Sequence, residues 1–174
     1  MEKDNEEFTD ETPKNGDSNK TRFATESFNV DHTKVYAPYV RIASKKTGKK
    51  GDTVVKYDIR FCQPNFECMD TDEIHTIEHI VSEILHSNFE NIIDFSPMGC
   101  RTGFYLTMFD GVSEETMAKV MVEIMQKVAI WSNDIPGATA IACGNYKDQN
   151  LIKAKKRAMM FIGGIMSKGY MASN

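Results

Sequence analysis

The sequence predicts a two-layer α+β domain, an antiparallel sheet packed by helices. Three observations carry this. Residues 55–61 alternate apolar and polar side chains, the period of a half-buried strand. Two later stretches, 74–85 and 117–131, repeat apolar residues every three or four positions, the period of an amphipathic helix. The strand candidates come in pairs joined by short turns, and the helices are few and late. Neighbouring strands therefore run antiparallel, with helices laid against them.

The first 22 residues, "MEKDNEEFTDETPKNGDSNKTR", hold almost nothing apolar. Such a segment buries too little surface to offset the entropy of ordering. It is expected to be a disordered acidic extension, with a single domain over residues 23–174. From residue 34 the pattern turns extended. "KVYAPYVRIAS" and "DTVVKYDIRFC" read as strands joined by the basic turn Lys45–Gly51. In the second, Val55, Tyr57, Ile59 and Phe61 alternate with Lys56, Asp58 and Arg60. "CQPN" ends it. Asp70 or Thr71 can then cap a helix, with Glu73 placed to complete a capping box from Asp70. Its stripe is Ile74, Ile77, Val81, Ile84 and Leu85. "NIIDF" and "TGFYLTMF" are strands on either side of the turn "SPMGCR". Ser113 caps a long helix with Met117, Val120, Met121, Ile124, Val128 and Trp131 on one face. "NDIPGATA" is a loop and "IACGNY" a short apolar piece. A last helix is expected from about Lys147 to Ile162, stopped by Gly163 and Gly164.

Composition narrows the function. Of the 25 acids and 21 bases, seven acids and three lysines fall in residues 1–20, so the formal charge of −4 sits there and the body is neutral. A neutral body has no field to attract nucleic acid or an anionic membrane. No apolar run is long enough to span a bilayer. The polar start does not resemble a secretory signal, so a cytoplasmic, reducing setting is expected. There, cysteines more often bind metal or react than pair.

"DEIHTIEHIV" is the sharpest stretch. His75 and His79 lie four apart, neighbours on one helix face, and can grip one metal ion with two imidazoles. Glu78 is rotated about 100° from His79, placed to flank the ion as an acid–base group. His86 falls within about 20° of the same stripe but about 10 Å further along, too far to share the ion. The third ligand must come from elsewhere. One candidate is a distant carboxylate, as in the H-x-x-E-H metallopeptidases. Another is Cys143, whose thiolate suits zinc or ferrous iron and whose neighbour Gly144 allows close backbone approach. Cys100, in "SPMGCRTG", suits a reactive thiol. Cys62 and Cys68, near strand and helix ends, read as structural. A non-enzymatic metal-dependent signalling or structural protein is the reading from a different class.

The strings "ESFNVDH", "APYVR", "KYDIRFCQPN", "IHTIEH", "IIDFSPMGCRTGFY" and "ACG" resemble the S-ribosylhomocysteine lyase (LuxS) family. They stand in family order and cover essentially residues 26 to 160. The resemblance implies a homodimer with active sites at the subunit interface. It implies one divalent metal ion per subunit, natively Fe2+ and replaceable by Zn2+ or Co2+, on His75, His79 and Cys143. It assigns acid–base roles to Cys100 and Glu78. It places Ser27, His32 and Arg60 around the ribose, the first two reaching in from the partner subunit, and Asp94 near the homocysteine end. The implied reaction cleaves S-ribosylhomocysteine to homocysteine and 4,5-dihydroxy-2,3-pentanedione, the autoinducer-2 precursor. Its thioether can leave by β-elimination only after the ribose carbonyl has migrated from C1 to C3. Each step removes a proton beside a carbonyl, which a Lewis acid and two acid–base groups can serve. Two features depart from the family: the long acidic start, and His86 where arginine is usual and is thought to meet the substrate carboxylate. A histidine is shorter and only partly charged at neutral pH. The segment from His86 to Asn91 is also short.

Overall fold

The computed structural model describes residue 23 and residues 25–170. The acidic extension, residues 1–22, lies outside the described residues. A short 3-10 turn, Glu26–Asn29, precedes β1 (Tyr39–Thr47) and β2 (Thr53–Arg60). Then come α1 (Thr71–Asn88), β3 (Ile92–Pro97), β4 (Gly103–Phe109), α2 (Glu114–Ile130) and α3 (Leu151–Ser167). The four strands form one sheet in the order β1-β2-β4-β3, antiparallel throughout. The α+β architecture is therefore the one the periodicities predict.

One apolar core joins the sheet to all three helices. Val55, Tyr57 and Ile59 of β2 and Phe104, Leu106 and Met108 of β4 supply its sheet side. On α1, Ile74, Ile77, Ile80, Val81, Ile84 and Leu85 are buried. Each such side chain contributes about 1.5–3 kcal/mol, so packing rather than intrinsic propensity holds the helix. Its start is set by the expected capping box: the Glu73 carboxylate accepts the Asp70 N–H at 3.1 Å. On α2, Ser113 caps through the Thr116 N–H, and Met117, Met121, Ile124 and Val128 face the core as predicted.

Three differences from the sequence reading have local causes. The first strand begins at Tyr39, not Lys34. Pro38 has no N–H to donate to a ladder, and the Gln63 side chain holds the preceding coil by accepting from Ala37 N and donating to Val35 O. The last helix starts at Leu151, capped by Asn150, whose side chain accepts the Lys153 N–H. It runs through Gly163 and Gly164 to Ser167. A Cβ at Gly164 would collide with the Pro38 ring, so this glycine serves close packing rather than termination. Finally, the polar side of β2 is not wet at its end: Asp58 and Arg60 are as buried as their apolar neighbours.

The N-terminus of α1 is tied to the segment before α3. Asn150 N donates both to Asp72 O and to the Thr76 hydroxyl, and Thr76 in turn donates to Gln149 Oε1. Arg157 of α3 pairs with Glu73 at 3.1 Å. These ties lay the chain before Asn150 across α1, beside His75. Among the described residues no helix is long and apolar enough to cross a membrane.

Candidate metal centre

His75 and His79 stand one turn apart on α1, their Nε2 atoms 2.9 Å from each other. Each ring's other nitrogen meets a backbone carbonyl: His75 Nδ1 lies 2.9 Å from Asp148 O, and His79 Nδ1 lies 2.6 Å from Pro136 O. A carbonyl only accepts, so each Nδ1 carries the proton and each neutral ring turns a bare lone pair from Nε2. Two lone pairs facing each other cannot bond to one another. A cation is what such a pair suits. The Cys143 sulfur is 3.4 Å from His75 Nε2, and the three donor atoms all lie within 4.8 Å of one another. With metal–nitrogen bonds of about 2.0–2.1 Å and metal–sulfur bonds of about 2.3 Å, donors so spaced can reach a common ion. The donor set could hold one metal ion.

Cys143 arrives on turns, not on the apolar piece the sequence reading expected around it. Ile141 is fully exposed, and Ala142 N and Cys143 N both donate to Thr139 O. No strand or helix is there to cover the segment. Gly137 has φ +65°, which L side chains adopt rarely, and a Cβ there would come to 3.5 Å of His79 Nδ1. This glycine lets the turn present the Pro136 carbonyl to the imidazole.

Glu78 is half-buried beside the pair. Burial pushes its carboxyl above the usual range; the two imidazoles oppose this, and the charge of Asp94 adds to it. It opens onto a groove of about 340 Å³ that continues along α1 past His79 and Glu83 to His86 and is bounded by the Pro136–Gly137 turn. His86 thus lines the same groove as Glu78 and His79. Asp94 is exposed on β3 and accepts from the Ser96 hydroxyl at 2.7 Å.

A second cluster lies where β2 ends against the β3–β4 turn. The β2–β4 register sets Arg60 opposite Gly103, next to the turn that carries Cys100. Arg60 donates to Thr102 Oγ1 at 2.6 Å and lies 3.9 Å from Cys100 Sγ. The fully buried Asp58 accepts from Arg60, Arg41 and the Tyr39 hydroxyl. Burial opposes the charge on Arg60, but hydrogen bonds and the charge of Asp58 outweigh it and raise its pKa. Removing one partner of such a buried pair costs about 3–5 kcal/mol. Cys100 itself is exposed, as its loop suggested. Among the described residues, no hydrogen bond or ion pair joins this cluster to the imidazoles.

Ser27 lies in the Glu26–Asn29 turn, and His32 Nδ1 lies 2.9 Å from Val30 O. The other two cysteines differ. Cys62 is buried, which pushes its thiol up to about 12, whereas Cys68, also read as structural, is exposed. Sequence reasoning missed the Asp58 anchor, Thr102 and the two carbonyls behind the histidines. The strand period marks Asp58 as solvated, and no side-chain pattern marks a carbonyl.

A helical histidine pair and a thiol from a distant turn that together could hold one metal ion, with a half-buried carboxyl beside them, stand on an α+β domain. With sulfur as the third donor, and no carboxylate joining the group among the described residues, the metallopeptidase pattern does not apply. The chain belongs to the S-ribosylhomocysteinase (LuxS) family, whose model matches residues 25–169. A relative named S-ribosylhomocysteine lyase from Clostridioides difficile is 46% identical over 145 residues, covering 83% of this chain and 93% of the relative. Relatives of the same name from Streptococcus pyogenes serotype M4 and Streptococcus suis are 45% and 42% identical, covering 79% and 82% of this chain and 87% and 91% of theirs.

Proposed function

We propose that this chain is an S-ribosylhomocysteine lyase, a carbon–sulfur lyase that releases homocysteine and 4,5-dihydroxy-2,3-pentanedione. The observation that carries this reading is the pair of tautomer-locked imidazoles meeting Cys143 beside Glu78, in a chain whose relatives bear that name. His75, His79 and Cys143 would hold one divalent ion, Fe2+ natively with Zn2+ or Co2+ able to substitute, which would supply Lewis-acid chemistry.

The chain's own groups do the proton work. Cys100 Sγ takes a proton from a carbon beside the starting carbonyl, and a proton returned to the neighbouring carbon moves the carbonyl inward. The Glu78 carboxyl serves the later transfers. In the last, it removes a proton beside the migrated carbonyl, the C–S bond breaks, and the sulfur leaves with the electron pair and gains a proton as homocysteine. A half-buried carboxyl that holds its proton more tightly than usual is suited to both taking and returning one. Arg60 lies beside Cys100, where the ribose would be held, and His86 and Asp94 serve the homocysteine end. Incubation of metal-loaded protein with S-ribosylhomocysteine and a thiol reagent should report homocysteine. Absence of thiol release would reject the activity.

The working unit is a cytoplasmic homodimer, with Ser27 and His32 acting in the neighbouring subunit's site. In keeping with that role, among the described residues no hydrogen bond or ion pair joins His32 to His75, His79, Glu78 or Cys100. The protein should sediment at twice its 19.7 kDa chain mass. Full activity in a verified monomer would remove the partner's contribution. Residues 23–174 form one catalytic domain, and the acidic extension takes no part in turnover.

His86→Arg should lower the KM for S-ribosylhomocysteine with little change in kcat. A longer, permanently charged side chain in the groove strengthens ground-state and transition-state binding alike. An unchanged or higher KM would mean that this position does not meet the carboxylate.

A further inference from the structure

We propose that Thr102 is a positioning residue for Cys100, its hydroxyl relaying the Arg60 charge to the sulfur as a hydrogen-bond donor. The proposal rests on the reading of Cys100 as an acid–base group, and it follows from counting protons. Thr102 is buried, 5% exposed, and its Oγ1 has two neighbours: Arg60 Nη1 at 2.6 Å and Cys100 Sγ at 3.1 Å. A guanidinium has donors and no acceptor, so Thr102 Oγ1 accepts from Arg60. Among the described residues, the hydrogen-bond neighbour left for its own proton is the Cys100 sulfur. The direct Arg60–Cys100 approach is longer, 3.9 Å, so the hydroxyl makes the closer contact to sulfur.

The arrangement is held from behind. Asp58 takes four N–H bonds, two from Arg41 and two from Arg60, and the Tyr39 O–H, which fixes the Arg60 fork with Nη1 aimed at Thr102. The order Asp58, Arg60, Thr102, Cys100 therefore runs from a buried carboxylate to an exposed thiol. In the proposed polarity the hydroxyl donates to the sulfur when the sulfur is in the form that takes a proton. The charged and titratable groups around Cys100 are Arg60 and Asp58 of β2, Tyr39 and Arg41 of β1 behind them, and its chain neighbour Arg101. Among the described residues, the hydrogen bonds at the sulfur are with Thr102 and Arg60.

The test compares Thr102→Val, which keeps shape and loses the hydroxyl, with Thr102→Ser, which keeps it. In the full-length protein, iodoacetamide labelling of each cysteine is followed against pH by mass spectrometry. Cys68, exposed and with no hydrogen bond to Thr102 or Arg60 among the described residues, is the internal reference. A hydrogen bond to a charged acceptor is worth about one to two powers of ten in the ionisation equilibrium. Thr102→Val should therefore move the Cys100 labelling profile about one pH unit or more upward without moving that of Cys68. Thr102→Ser should restore it. In turnover, Thr102→Val should lower kcat about ten-fold or more near neutral pH, recovering as pH rises, with KM little changed. An unmoved Cys100 profile in a folded Thr102→Val protein would overturn the relay. So would a shift that Thr102→Ser shares. Labelling reads the sulfur directly, so it stands or falls separately from the lyase activity, which Cys100→Ala tests.

Discussion

Glu78→Gln should reduce homocysteine release by roughly a hundred- to ten-thousand-fold while the ion stays bound. The isosteric amide removes the titrating proton and little else. Glu78 is not among the three donors that crowd together, so its loss leaves that set intact. Cys100→Ala should cost a similar factor by removing the other acid–base group. The two variants should stop at different points, because the carbonyl must migrate before sulfur can leave. Glu78 opens on the groove that carries His79 and runs on to His86, where the amino-acid end of the substrate would lie. It is thus placed for the late transfers and the elimination. With carbon-13-labelled substrate, Glu78→Gln should accumulate a ketose, and Cys100→Ala should leave mainly the starting aldose. The reverse pattern would exchange the roles. Metal loss in either variant would make that residue a ligand.

Cys143→Ala should lose most of its metal and, with it, turnover. The two imidazoles would remain locked by Asp148 O and Pro136 O, but a site with two neutral donors lacks the anionic one. Loss of an outer-shell partner alone typically costs about 10–100-fold in metal affinity, and loss of a direct donor should exceed that. Cys143 is only partly buried and sits on a turn outside the core, so the metal-free variant should keep the fold of the metal-free parent. Elemental analysis after gel filtration reads the metal, and circular dichroism reads the fold. A full complement of metal in folded Cys143→Ala would show that the third ligand lies elsewhere.

The sequence by itself determined what spacing can encode. Helical repeat sets His75, Glu78 and His79 in their relation to one another, and the capping box fixes where that helix starts. Period two marks the core face of β2, and the apolar stripes mark the faces of α1 and α2. These are local relations, set by backbone geometry within a few residues. The family motifs added the ligand set and the reaction, but not the atoms that orient them. Tertiary structure decided those. Cys143 meets His75 across 68 positions because Asn150 and Gln149 pin its segment to Thr76 and Asp72. Asp148 and Pro136 choose the histidine tautomers through backbone carbonyls, which every residue possesses and no side-chain pattern marks. Gly164 reads as a helix stop until Pro38 is seen against it. Asp58 reads as a wet strand residue until Tyr39 and two arginines close over it. Each depends on which segments the packed core brings together, so the cost of burying Asp58 or the reach of Thr102 to Cys100 exists only once the chain has closed.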